Sequence, residues 1–273
     1  MTWSWAALMP HPPVMLPRIG RGRERDASQT LAGSAALLAK IAARPVGGRP
    51  DFLLILSPHQ PYAPGALLLN TAPAPEGSLR RFGAPMLKFS LTTALEIEAA
   101  LAAHLAASGL PVATAASPDL TPDHGTQVPL QALSRILPEP PPVILASPIG
   151  LTPDQALDLG RALASFQPPP AMTGALLASG DLSHRLTRDA PAGFHPEGAA
   201  FDHELLAALA AGDATDLLTR WTPERLAGAG ECGYRSALAL LGLAGGPVEI
   251  ISYEGPFGVG YGHALWPPSD ATP

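Results

Sequence analysis

The chain has 273 residues, a formal net charge of −6 and no basic cluster, which argues against a nucleic-acid backbone as partner. Its one cysteine, Cys232, rules out an internal disulfide and fits a reducing compartment. No apolar run approaches the ~20 residues of a membrane span, and the first residues lack a basic leader. A cytoplasmic protein without membrane contact is expected, long enough for one large core in a single domain over residues 1–273.

Taken in order, Trp3 to Met9 is an apolar run closed by Pro10-His11-Pro12-Pro13. Gly20 to Asp26 reads as an exposed loop, and Ser28 to Ala43 as a helix with Ser28 as N-cap. Phe52 to Leu56 has no polar alternation, the pattern of a central strand buried on both faces, and runs into Ser57-Pro58-His59. Leu67 to Asn70 and Met86 to Leu91 are predicted strands flanking a Pro/Gly-rich loop. Leu95 to Ser108 is an alanine-rich helix with His104 on a solvent face, and Val112 to Ala115 is a further strand. A turn over Pro118 to Gly125 carries Asp123-His124-Gly125, and a helix from Gln127 to Ile136 follows with Pro129 in its first turn.

Val143 to Ser147 reads as a buried strand, and Thr152-Pro153-Asp154 opens a helix to about Ser165. Gly174 to Ser179 is a strand ending in Gly180-Asp181-Leu182-Ser183-His184. Helices are predicted from His195 to Ala211, from Thr222, and from Gly230-Glu231-Cys232-Gly233 to near Gly242. Val248 to Tyr253 is the last predicted strand. The glycines of Glu254 to His263 are not followed by a helix, so they do not form a phosphate cradle.

Histidines therefore recur where apolar runs end, the place at which α/β sheets gather ligands. Two histidines and a carboxylate with open positions form the facial triad of non-haem Fe(II) oxygenases. His11 and His59 are the candidate imidazole ligands, with Glu231 or Asp181 as the carboxylate. A histidine that does not bind metal serves as base, His184 or His124. Asp181-Leu182-Ser183-His184 does not make a serine hydrolase, because adjacent Ser and His do not face each other and no nucleophile elbow is present.

These residues, together with Met9-Pro10-His11-Pro12-Pro13 and Gly255-Pro256-Phe257-Gly258-Val259-Gly260-Tyr261-Gly262, resemble the class III extradiol ring-cleavage dioxygenase superfamily, in family order from residue 9 to 262. The likeness is greatest to the dioxygenase-like, Memo-like domain of the AMMECR1–Memo–radical SAM system. The resemblance implies one α/β domain, a central mostly parallel or mixed sheet flanked by helices. It implies Fe(II) held by His11, His59 and Glu231, with His184 as catalytic base, and His124 contacting substrate or dioxygen; Asp181 joins the catalytic set. The substrates implied are a small aromatic diol and O2. Cys232 beside Glu231 looks like the Memo pattern, in which a cysteine near the metal favours copper or another thiophilic ion such as zinc over iron, and a redox role without ring cleavage. A homodimer and an AMMECR1-like or radical SAM partner follow from the same resemblance.

Overall fold

The computed structural model describes residues 3–117, 120–169 and 172–267, so the first two residues of the turn expected from Pro118 lie outside them. In chain order the first half runs β1 (Trp3–Met9), α1 (Pro17–Gly20), α2 (Ser28–Ala42), β2 (Phe52–Leu56), β3 (Leu67–Asn70), β4 (Glu76–Leu79), β5 (Ala84–Ser90), α3 (Leu95–Ala107), β6 (Val112–Ala115) and α4 (His124–Leu133). The second half runs β7 (Val143–Ser147), α5 (Pro153–Ser165), β8 (Gly174–Ser179), α6 (Pro196–Ala211), α7 (Thr215–Arg220), α8 (Pro223–Ala229), α9 (Tyr234–Ala244), β9 (Glu249–Glu254) and β10 (Tyr261–Trp266).

Eight strands form one mixed sheet in the order β6-β3-β7-β2-β8-β1-β10-β9. Its centre, β7-β2-β8-β1, is parallel, while β3 and β10 run antiparallel to their central neighbours. Side chains alternate across each strand, so the apolar runs feed two cores. Phe52, Leu54 and Leu56 enter the core beneath α5, α6 and α9, while Leu53 and Ile55 enter the one beneath α2 and α4. In β1 a register shift between Trp3 and Trp5 sends the two indoles to opposite faces, and each N–H finds a carbonyl, of Leu163 and of Gly48. The chain is thus a single α/β domain with the sheet covered on both faces, and no helix of the described residues is long and apolar enough to cross a membrane.

Several local expectations are corrected. Gly20 to Asp26 is no free loop: it closes α1 and enters a 3-10 turn over Arg23–Ala27. Ser28 lies inside α2, which has no side-chain cap. His104 does not face solvent; its Nε2 bonds the Ala162 carbonyl of α5 and its ring lies against Phe166. The helix expected from Gln127 begins at His124, which moves Pro129 out of the first turn. Strand β5 matches the strand expected over Met86 to Leu91, begun two residues earlier, whereas β4 and β10 went unpredicted, β4 because it is short and polar, β10 because the glycines around it mask the alternation.

Glu98 of α3 is 1% exposed and its Oε1 has no hydrogen-bond partner among the described residues. Burial raises its pKa to about 7. The folded state therefore holds a proton there that the unfolded chain releases near pH 4.5, so stability falls as pH rises from about 4.5 to about 7 and levels off above. Glu98→Gln is expected to remove that slope and raise stability at pH 8 by roughly 2–3 kcal/mol, with the gain vanishing near pH 4.5, as read by denaturant unfolding at several pH values.

Candidate metal centre

Strands β1, β2 and β8 are neighbours and parallel, so their carboxyl ends deliver His11, His59 and Asp181 to one edge of the sheet. His11 is 1% exposed, while His59 stands at the open side. Their Nε2 atoms face each other at 3.0 Å. Two nitrogens each ~2.1 Å from a common ion at a right angle would lie ~3.0 Å apart, so the pair fits a metal. His124, from the start of α4, stacks on His59 at 4.2 Å between ring centroids and meets His11 edge-on at 5.2 Å. Among the described residues two triplets bring one ligand atom each within 4.8 Å of one another: His11, His59 and His124, and His11, Asp181 and Cys232.

His11 is shared by both, and its protonation is fixed from behind. Its Nδ1 lies 2.8 Å from Ser179 Oγ, and that hydroxyl donates to the Gly125 carbonyl at 2.6 Å. A hydroxyl that has given its one proton offers only lone pairs, so His11 Nδ1 carries the hydrogen and Nε2 keeps a lone pair toward the site. The Gly125 carbonyl is free for this because its helical partner would be the N–H of residue 129, and Pro129 has none. Gly125 itself is required by space: a Cβ there would come 2.4 Å from Ser57 Oγ. Ser57 Oγ in turn donates to Asp123, whose carboxylate caps α4 at the Thr126 N–H.

On the other side of His11, Asp181 Oδ1 accepts the His11 backbone N–H at 2.9 Å. Its Oδ2 lies 3.7 Å from Nε2 of both His11 and His184. His184 Nδ1 donates to the Gly230 carbonyl at 2.9 Å, so in the neutral ring the lone pair is on Nε2, the nitrogen turned toward Asp181. Cys232 Sγ is 3.7 Å from His11 Nε2, and its backbone N–H reaches Asp181 O. Two glycines permit this approach, since a Cβ on Gly180 would strike the Gly233 backbone at 2.2 Å.

Glu231, expected as a metal ligand, is in neither triplet; one of its carboxylate oxygens accepts the Tyr234 N–H at 2.7 Å at the head of α9. Ser183 is not a nucleophile: its hydroxyl is spent on the Ala229 carbonyl. The sequence reading missed Asp202, which holds the Ser183 N–H and the Tyr253 hydroxyl and so braces the segment that carries His184. A buried acid 19 residues after Ser183, inside a helix, offered no pattern to find it by.

Burial dominates the electrostatics. It holds the His11 and His59 imidazoles below their usual pKa and brings His124 to about 3, with the neighbouring imidazoles adding to the effect for His11 and His124. All three are neutral donors at pH 7. Burial likewise lifts Asp181 to about 6 and pushes the Cys232 thiol well up, the latter aided by the Asp181 and Glu231 carboxylates. Such a site is short of positive charge, which a cation would supply.

Residues 5–264 match the family model of the catalytic LigB subunit of aromatic ring-opening dioxygenase. The chain belongs to this family. A LigB-type centre accounts for the convergence of imidazoles, since family members bind a metal. Protein CA_C1420 of Clostridium acetobutylicum is 31% identical over 265 residues, 93% of this chain; the chain spans 55% of that relative's length. The uncharacterised Escherichia coli K12 protein JW3007 shares the fold, with a TM-score of 0.59 at 16% identity, over 96% of this chain and 99% of that one.

Ser179→Ala removes the acceptor behind His11 while leaving the strand buried. It is expected to weaken metal binding about 10–100-fold, measured by chelator competition. Pro129→Ala, which restores an N–H aimed at the Gly125 carbonyl, is expected to shift affinity in the same direction.

Proposed function

We propose that the protein is a mononuclear non-haem metal enzyme of the extradiol type, cleaving a small aromatic diol with O2. The observation that carries this reading is a pair of imidazole Nε2 atoms 3.0 Å apart, beside a third histidine, His184, whose Nδ1 is held by the Gly230 carbonyl and whose Nε2 is left to take a proton. His11 and His59 would hold Fe(II), which when bound supplies diol chelation and the electron chemistry that dioxygen requires. His184 then accepts a hydroxyl proton of the diol at Nε2. The imidazolium so formed sits beside Asp181 Oδ2, whose charge stabilises it. His124, stacked on His59 at the cavity floor, contacts the substrate. Overall, the carbon–carbon bond next to the diol breaks, and the two atoms of O2 end in an aldehyde and a carboxylate.

The test is anaerobic reconstitution with Fe(II), followed by oxygen uptake on a panel of catechols; no uptake on any of them would overturn ring cleavage. His184→Ala is expected to retain the metal and slow turnover by roughly 10²–10⁴-fold. Full activity in that variant would remove His184 from the role of base. Metal content of Glu231→Gln and His124→Ala identifies the third ligand.

Cys232 favours a second reading, a Memo-like metal-binding redox module that works with an AMMECR1-like or radical SAM partner and cleaves no ring. Its thiol stands 3.7 Å from His11 Nε2, close to the ~3.6 Å separating nitrogen and sulfur on one tetrahedral ion. In that case Cys232→Ser changes the preference among Fe, Zn and Cu, read by metal analysis; an unchanged preference rejects it.

A further inference from the structure

His184 lies beyond the end of β8 and stands outside every helix and strand, so the sheet does not hold it. What fixes it is its neighbour Ser183, whose polar groups are all engaged. The Ser183 carbonyl accepts the Gly260 N–H at 2.8 Å, and the hydroxyl donates to the Ala229 carbonyl at 2.7 Å. The Ser183 N–H donates to Asp202 Oδ1 at 2.7 Å. Ala229 directly precedes Gly230, whose carbonyl receives Nδ1 of the His184 ring. Ser183 thus ties the main chain at His184 to the residue that orients its ring, and of these ties only the one to Asp202 ends on an ionisable group.

Asp202 is costly to keep there. It lies on the buried face of α6 with Phe201 and Leu205, is 1% exposed, and has no Lys, Arg or His paired with it among the described residues. Burial pushes its pKa up to about 7. The Tyr253 hydroxyl, from the edge strand β9, donates to Oδ2 at 2.7 Å and so fixes the plane of the carboxyl group. The glycine-rich segment before β10 makes room for it, since a Cβ on Gly260 would lie 2.0 Å from Oδ2. An apolar residue would sit in α6 at less cost, but the Ser183 N–H would then be buried without an acceptor.

We propose that Asp202 is a positioning residue for the base: through the Ser183 N–H it sets where His184 Nε2 stands against the metal centre, touching neither metal nor substrate. The inference rests on the reading of His184 as base, and its test separates the two. The bond asks only for an acceptor at Oδ1, which a carboxylate, a carboxylic acid and a carboxamide all supply. Asparagine therefore serves in this place and alanine does not.

Fe(II)-loaded wild type is compared with Asp202→Ala, Asp202→Asn and Gly260→Ala, the last of which crowds the carboxyl group off Ser183 while keeping the acid. Metal bound per chain is expected to be the same in every variant, with KM changed less than about twofold. In Asp202→Ala and Gly260→Ala kcat is expected to fall about 10–100-fold, and in Asp202→Asn to stay within about threefold of wild type. An unchanged kcat per bound metal in the alanine variants, or an asparagine no better than alanine at position 202, overturns the proposal. Where Asp202→Ala does not fold, Gly260→Ala is judged by the same criterion. A second readout needs no turnover. In Zn(II)-loaded protein, isotope-labelled histidine rings are followed by NMR, with the His184 signal assigned by its loss in His184→Gln. The His184 Nδ1 proton is expected to exchange with solvent about tenfold or more faster in Asp202→Ala and Gly260→Ala than in wild type. Equal exchange in all three overturns the proposal. Should no diol turn over, the reading of His184 as base fails, and the exchange rates alone decide whether Asp202 positions the ring.

Discussion

The candidate centre depends on keeping one buried imidazole neutral and pointed. His11 has almost no solvent to hydrate it, so the protein must satisfy Nδ1 and leave Nε2 bare. A serine alone would not do this, because a hydroxyl can turn and donate. Ser179 is prevented from turning by the Gly125 carbonyl, and that carbonyl is available only because Pro129 cannot complete the helical ladder. A proline that costs α4 a hydrogen bond thus returns it as a fixed acceptor across the sheet edge.

The same edge shows what strand topology contributes. Residues 11, 59 and 181 are far apart in sequence, yet β1, β8 and β2 are adjacent and parallel, so each strand's end projects into the same crevice. The glycines Gly125, Gly180 and Gly233 then let α4 and α9 close on that crevice more tightly than any side chain would allow. The close approach is what puts His124 and Cys232 within reach of His11.

Much of this was legible beforehand. Unbroken apolar runs such as Phe52–Leu56 and Val143–Ser147 read directly as doubly buried strands, and the histidines that follow such runs read as ligands of a sheet edge. Motif order added the family, which the match over residues 5–264 bears out. What stayed hidden depends on contacts across the fold. That one Glu231 carboxylate oxygen takes the Tyr234 N–H at the head of α9 is a contact that residue spacing alone does not reveal. Where the turn Arg80-Arg81 sits was equally hidden, because it reads as any polar turn until β4 and β5 are seen to pair and pack on Val128. His104 misled for the converse reason: an alanine-rich helix has no marked polar face, and α5 happens to cover it.

The two donor sets around His11 are chemically unequal, and that asymmetry bears on which ion the centre favours. On one side stand neutral imidazoles, ready to donate without losing a proton at pH 7. On the other stand Asp181 and a thiol that burial and the nearby carboxylates keep protonated. Recruiting Cys232 costs a proton that must leave against that field, which only a strongly thiophilic cation repays. An ion seated on the imidazole side would leave Asp181 Oδ2 beside His184 Nε2, where under the proposed function its charge would steady the protonated base. An ion drawn to the thiol would claim Asp181 as well and take that support from His184. Under the proposed function, base chemistry and thiolate ligation would compete for one carboxylate, Asp181, and the cost of ionising the buried Cys232 thiol would weigh on the side of the base.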